Sequence, residues 1–234
     1  MRFKFITTLV LFTLFFSCTT KTNSPEFIKK VSGRYLYNSD EIIEVYFKET
    51  DLYLKWRGAT NIKPLKVDDE TFFVKEMNEK IQFKINQDDH KQYLIFIPKE
   101  TTDSIQFNFR KLNETEKIPS EYLLTNQYEK ALEAYKAIQK KDSLDSAINE
   151  EDLNSLGYKN LRAEKFENAI NIFKINVVLH PESSNVYDSL GEAYMKHGDT
   201  IEAIENYKKS LALDSGNNRA KRMIKKLEKK EVDN

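Results

Sequence analysis

Between residues 34 and 111 apolar and polar positions alternate with a period of two. Ile81, Phe83 and Ile85 interleave with Gln82 and Lys84, and Ile105, Phe107 and Phe109 with Gln106, Asn108 and Arg110. Leu52, Leu54 and Trp56 interleave in the same way with Tyr53, Lys55 and Arg57. Alternation with β-branched and aromatic enrichment marks strands that have one face covered. Further strands are expected over 34–37, 42–48, 62–67, 71–75 and 93–98. Turn-type clusters such as Asn38-Ser39-Asp40, Glu49-Thr50-Asp51 and Asp68-Asp69-Glu70 separate them. About eight short strands at roughly ten-residue spacing predict an antiparallel meander, curled into a small barrel or sandwich over 31–113.

Past Pro119 the period becomes helical, and the chain repeats itself at an offset of 34 residues. Leu156-Gly157 recurs as Leu190-Gly191, Ala169-Ile170 as Ala203-Ile204, Phe173-Lys174 as Tyr207-Lys208, and Leu179 as Leu213. Small residues at Gly157, Gly191, Ala169 and Ala203 let paired helices approach, while Phe173 and Tyr207 fill the space between units. This pattern resembles the tetratricopeptide repeat: a large residue (Leu153, Tyr187), Leu-Gly, a small Ala, an aromatic and a closing Pro181. Ser215 replaces the closing Pro of the second unit, and Asn160 stands where the second unit has Tyr194. Units are expected at about 150–183 and 184–217. The spacing of Tyr128, Ala131 and Tyr135 suggests a degenerate unit at about 120–148. A capping helix over 218–230 would cover the last apolar face. Its Arg219, Lys221, Arg222, Lys225, Lys226, Lys229 and Lys230 read as a solvated outer face, with anionic lipid as the alternative contact. The expected fold class is α+β in two domains: the β meander, then tetratricopeptide α-hairpins over 117–234.

The start of the chain carries a different signal. Arg2 and Lys4 precede an apolar run from residue 5 to 16, closed by Ser17-Cys18. The run is shorter than the roughly 18–20 residues needed to span a bilayer, and fits a secretory signal. It resembles a bacterial lipoprotein signal, with Phe15 where Leu is usual, which implies a lipidated Cys18 and a tether over 19–30. Cys18 is the only cysteine, so no intramolecular disulfide can form. That resemblance places the protein in the cell envelope, anchored to the outer membrane. Thr19 to Asn23 lacks the acidic run that marks surface export in similar proteins, which leans the expectation towards the periplasmic side.

Lys+Arg and Asp+Glu both number 37, and this balance argues against a nucleic-acid partner. His90, His180 and His197 are scattered without metal-ligand spacing, and no Ser-x-x-Lys, Gly-x-Ser-x-Gly, phosphate loop or His-Glu-x-x-His occurs. Asp68-Asp69 and Asp88-Asp89 sit in expected turns, where Asp is favoured for local hydrogen bonding. No catalytic residue, metal or cofactor is expected, and the chain reads as non-enzymatic.

The stretches Asn154 to Tyr158, Ala169 to Val177 and Tyr187 to Tyr194 look like the tetratricopeptide tail of beta-lactamase-related serine hydrolases of Bacteroidetes-type bacteria. Gly33-Arg34-Tyr35, Val45, Leu52 to Leu54, Pro64-Leu65, Phe72, Phe83 and Phe107 are similar to the core pattern of the small domain that accompanies such enzymes. The hydrolase domain and its nucleophile have no counterpart in this sequence. The resemblance implies a lipoprotein made of accessory modules, with a separately encoded serine hydrolase as one implied partner.

Repeat arrays present a concave surface lined by the first helix of each unit. The groove-facing residues expected here are Asn154, Tyr158, Arg162, Asn185, Asp188, Glu192 and Lys196, binding a protein or peptide. The alternative is a β cup for a small apolar or envelope-derived ligand, with Tyr35, Tyr46, Tyr53, Trp56 and Arg57 at its mouth or wall.

Overall fold

The computed structural model describes residues 22–100 and 104–232. The apolar start of the chain and Cys18 lie outside the described residues. No helix among those described is long and apolar enough to cross a membrane.

The β half contains nine strands rather than about eight. They are β1 (Gly33–Asn38), β2 (Glu41–Lys48), β3 (Asp51–Trp56), β4 (Ala59–Ile62), β5 (Leu65–Lys66), β6 (Thr71–Val74), β7 (Glu79–Ile85), β8 (Gln92–Phe96) and β9 (Phe109–Lys111). All neighbours pair antiparallel, in the order β4-β3-β2-β1-β9-β8-β7-β6-β5. The expected strand 62–67 is split by buried Pro64, which has no N–H to give a ladder. Of the alternating stretch from Ile105 to Arg110, only the end pairs, as β9 slots between β1 and β8. That insertion joins two meanders into one sheet, and no local pattern announces it.

A short linker proves that the sheet is rolled. Flat, nine strands would put the edges β4 and β5 about 38 Å apart at a spacing of ~4.8 Å. Only Lys63 and Pro64 connect those edges, a span of at most about 11 Å. The sheet is therefore curled into an almost closed half-barrel. Its interior is filled by Tyr35, Ile43, Leu54, Phe72, Val74, Ile81 and Leu94, each at most 1% exposed.

A helix plugs this curl where the sequence reading left a tether. In α1 (Pro25–Val31) Ser24 caps the first turn by accepting the Phe27 N–H at 3.1 Å, and Pro25 opens the helix. The Phe27 ring sits 5.9–6.4 Å from those of Phe47, Phe72 and Phe83, bridging β2 to β6 and β7. Asn23 donates to the Thr50 carbonyl at 2.8 Å and accepts from Lys66 at 2.9 Å, so it ties the β2–β3 turn to β5. Seven residues offer too few apolar positions for a helical period to be read.

The helical half comprises α2 (Pro119–Leu124), α3 (Tyr128–Lys141), α4 (Glu150–Arg162), α5 (Phe166–Leu179), α6 (Ser184–His197), α7 (Thr200–Leu213) and α8 (Asn218–Val232). Helices α4 with α5, and α6 with α7, form the two regular hairpins, and α8 covers α7 through Ala220 and Leu227. The turns α2–α3, α4–α5 and α6–α7 each pass through a left-handed residue: Asn126, Glu164 and Gly198, with φ of 55°, 57° and 106°. Helices α5 and α7 start 34 residues apart, whereas α3 and α5 start 38 apart. The extra residues form a loop holding a 3-10 turn, Ser146–Ile148.

The first hairpin is incomplete, and the sheet caps its short first helix. Helix α2 has six residues where α4 has 13. Its first turn is capped from the β1–β2 turn, where Asp40 accepts the Ser120 N–H at 2.7 Å and the Tyr135 hydroxyl at 2.8 Å. Arg34 of β1 donates to the Glu116 carbonyl and pairs with Glu121 of α2. Burial raises the Asp40 carboxyl above its ordinary range, although the bonds from Ser120 and Tyr135 oppose this.

A raised folded-state pKa means that Asp40's contribution is fully present below its unfolded value and is lost as pH rises through the folded one. In Asp40→Asn the amide oxygen would accept the same Ser120 N–H without carrying charge. The melting-temperature difference between Asp40→Asn and the wild type should therefore become more favourable to the variant from pH 4 to pH 7.5. A difference that is constant across that range would contradict this account.

Candidate functional site

The 34-residue offset turns the first helix of each hairpin and the cap into a grid. Asn154, Asp188 and Arg222 share one repeat position, Tyr158, Glu192 and Lys226 a second, and Glu151, Asn185 and Arg219 a third. Three of the expected groove residues meet in one network. The Tyr158 hydroxyl donates to Glu192 at 3.1 Å, reaching from α4 to α6. Arg219, in the first turn of α8, forks to both Asp188 and Glu192. Asn217 donates to Asp188 at 3.1 Å and to Ser210 at 2.9 Å.

The local sequence explains why these side chains converge. On α6, Asp188 and Glu192 are four residues apart, one turn on the same face. The Tyr158 ring packs edge-on against Phe173 at 5.2 Å, which fixes its direction. Burial raises the Tyr158 hydroxyl's pKa; Ser189 opposes the rise and Glu192 adds to it. Burial pulls the Arg219 guanidinium down, and the charges of Asp188 and Glu192 more than reverse that.

The other expected residues lie outside this network. Asn154 is half-buried, and its side-chain oxygen is enclosed with no hydrogen-bond partner. Asn185 is exposed and donates to Glu150 at 3.0 Å, a bond within the array. Arg162 and Lys196 are exposed in the last turns of α4 and α6. The sequence places Arg219 on a solvated outer face, but it turns towards α6, to Asp188 and Glu192. The signal that could have found it is its repeat equivalence to Asn185.

The residues expected at the mouth of a β cup have structural partners. Tyr35 is buried and donates to the Val31 carbonyl at 2.8 Å. Tyr46 stacks on its cross-strand neighbour Tyr53 with ring centroids 5.6 Å apart. Arg57 lies over Trp56 and pairs with Glu41 at 2.8 Å. Among the described residues no group of three or more His, Cys, Asp and Glu is placed to hold a metal ion.

Stacked α-hairpins with this internal period make the C-terminal half a tetratricopeptide repeat region. Residues 184–217 match the tetratricopeptide repeat family model. The heat shock protein STI1 of Saccharomyces cerevisiae is 37% identical over 95 residues, which are 40% of this chain and 15% of that protein. The chain thus spans a small part of that relative. Among solved structures, the first TPR of Spaghetti (RPAP3) bound to an HSP90 peptide is 19% identical, with a TM-score of 0.36, over 49% of this chain and 87% of that one. The Sgt2 TPR domain from Aspergillus fumigatus has the same identity and TM-score, over 49% of this chain and 74% of that chain.

Proposed function

We propose that this protein is a non-enzymatic docking module, tethered to the cell envelope through lipid on Cys18, whose repeat groove binds a protein or peptide segment. One observation carries the reading. The faces of α4, α6 and α8 share a polar network, Tyr158–Glu192–Arg219–Asp188, that holds side chains of three helices in fixed positions. Preorganised side chains lose little entropy when a partner is laid across them. The tether and the periplasm-facing side rest on the apolar start and Ser17-Cys18. The packed interior of the β half favours the groove over a β cup.

The test is crosslinking from a native envelope fraction with the full chain as bait, beside an Arg162→Glu/Lys196→Glu variant. Both sites are exposed in the last turns of α4 and α6. The variant should therefore stay folded, with stability lowered only by the two acids at helix C-termini, about 0.3–1 kcal/mol each. Protein partners captured by the wild type should be lost from the variant, and Cys18→Ser should leave the membrane fraction. A serine hydrolase among the lost partners would make the protein an accessory acting in trans. Partners that survive the double reversal unchanged would refute the groove.

A further inference from the structure

The truncated first hairpin leaves a slot along α4, on the side facing the sheet. One part, a cleft of about 380 Å³, lies between the β1–β2 turn, α3 and α4, with Asp40, Glu41, Asp152 and Leu153 in its wall. The other, about 290 Å³, runs on between α2 and α5 past Leu123, Leu124 and Lys165. Ser120 and Leu156 line both, so the two clefts adjoin along α4.

The internal repeat shows that this slot is a place where a helix belongs. Leu156 and Leu190 occupy the same repeat position. Leu190 is 5% exposed, clustered with Leu161 of α4 and Ala169, Ile170 and Phe173 of α5, whereas Leu156 is only half-buried beside the six-residue α2. At the rim Leu124 is 82% exposed. An apolar position that the second unit covers is thus left open in the first.

Charge defines what would fit. The sheet end of the slot carries three carboxylates and no lysine or arginine in its wall. Asp40 and Glu41 have internal partners, while the exposed Asp152 carboxylate has none among the described residues. The opposite end carries Lys165.

We infer that this slot is a second docking site, separate from the groove, for a short amphipathic helix of a partner protein. Its apolar face covers Leu124 and Leu156, and a basic end meets Asp152 beside the sheet. The mode is a helix laid in a groove, recognised by anchors at i, i+3 or i+4. The partner supplies the turns that the first hairpin lacks.

The test is fluorescence anisotropy with the full chain and a labelled synthetic helix, carrying leucines at i, i+3, i+4 and i+7 and two lysines at one end. Saturable binding is expected, weakened at least tenfold by Leu124→Asp. Asp152→Lys should weaken it several-fold and flatten its salt dependence, and Arg162→Glu/Lys196→Glu should leave it unchanged. Leu124 is exposed, so Leu124→Asp should stay folded. Asp152→Lys puts a cation in the first turn of α4 and should lower the melting temperature slightly without unfolding the chain. No saturable binding, or binding indifferent to Leu124→Asp, would overturn the inference while leaving the groove reading intact. Self-association abolished by Leu124→Asp would overturn it in favour of a second copy of this chain as the occupant.

Discussion

Phe173→Ala should lower the unfolding free energy by about 3–5 kcal/mol, and in that background Gly157→Ala should change sign. Phe173 is fully buried against the hairpin partner of its own helix. A methyl placed on Gly157 would overlap its ring, with the Phe173 Cζ only 2.6 Å away. In the wild type, alanine at 157 therefore forces a buried aromatic to move, an overpacking cost of about 1–3 kcal/mol. Opposing it is a gain of up to ~1 kcal/mol from replacing glycine inside a helix. Once the ring is gone the clash is gone, and the helix term alone remains, so the double variant should be more stable than Phe173→Ala. Gly191 is the internal control. A methyl there would stand 3.1 Å from the Tyr207 ring, a contact that a small shift relieves, so Gly191→Ala should come out close to neutral. Chemical denaturation of the four chains in the cycle, plus Gly191→Ala, measures this. Additive effects at 157 and 173 would show that the glycine is not there for the aromatic.

Arg219→Ala should be the second large loss, about 2 kcal/mol. Removing one member of a buried ion pair costs about 3–5 kcal/mol because the other charge stays behind. Here the Arg219 side chain is 35% exposed and that of Asp188 13%, so solvent screening takes part of that away. What remains comes from Asp188 and Glu192, two carboxylates one helical turn apart that would share a site with no cation between them. Two consequences separate this from loss of packing. Neutralising both acids, Asp188→Asn with Glu192→Gln, should restore most of the stability of Arg219→Ala. Raising salt should also stabilise Arg219→Ala relative to the wild type, because it screens the repulsion. Arg219→Lys should recover only part of the loss, since one ammonium cannot replace a fork bonded to two side chains. If the neutral double change brings no recovery, the guanidinium matters for its packing against Tyr207 and not for the acids.

Both halves were legible in the chain to different depths. The repeats were plain because their contacts are local: helix pairs meet within one hairpin, so Gly157 with Phe173 and Gly191 with Tyr207 leave a mark at a fixed offset. Most strands of the two meanders were legible for the same reason, since each pairs with its neighbour through a short turn such as Glu49-Thr50, whereas β4, reached through Arg57-Gly58, was not among the expected strands. Of the candidate groove, the face carrying Tyr158, Asp188 and Glu192 followed from helical spacing. Arg219 did not, because side-chain direction at the start of a capping helix depends on which charges await it.

By itself, then, the sequence determined the period of each half, most of the strands, the two regular hairpins and the helix face shared by Tyr158, Asp188 and Glu192. Only the tertiary structure decided the rest. Strand β9 enters between β1 and β8 because backbone groups at two open edges must pair, whatever the separation along the chain. Phe27 leaves a would-be tether because the rolled sheet has an apolar centre to fill. The β1–β2 turn caps α2 through Asp40, 80 residues away, because a helix start buried against the sheet needs acceptors for its free N–H groups. Such contacts join residues with no shared period, so composition and spacing carry no trace of them.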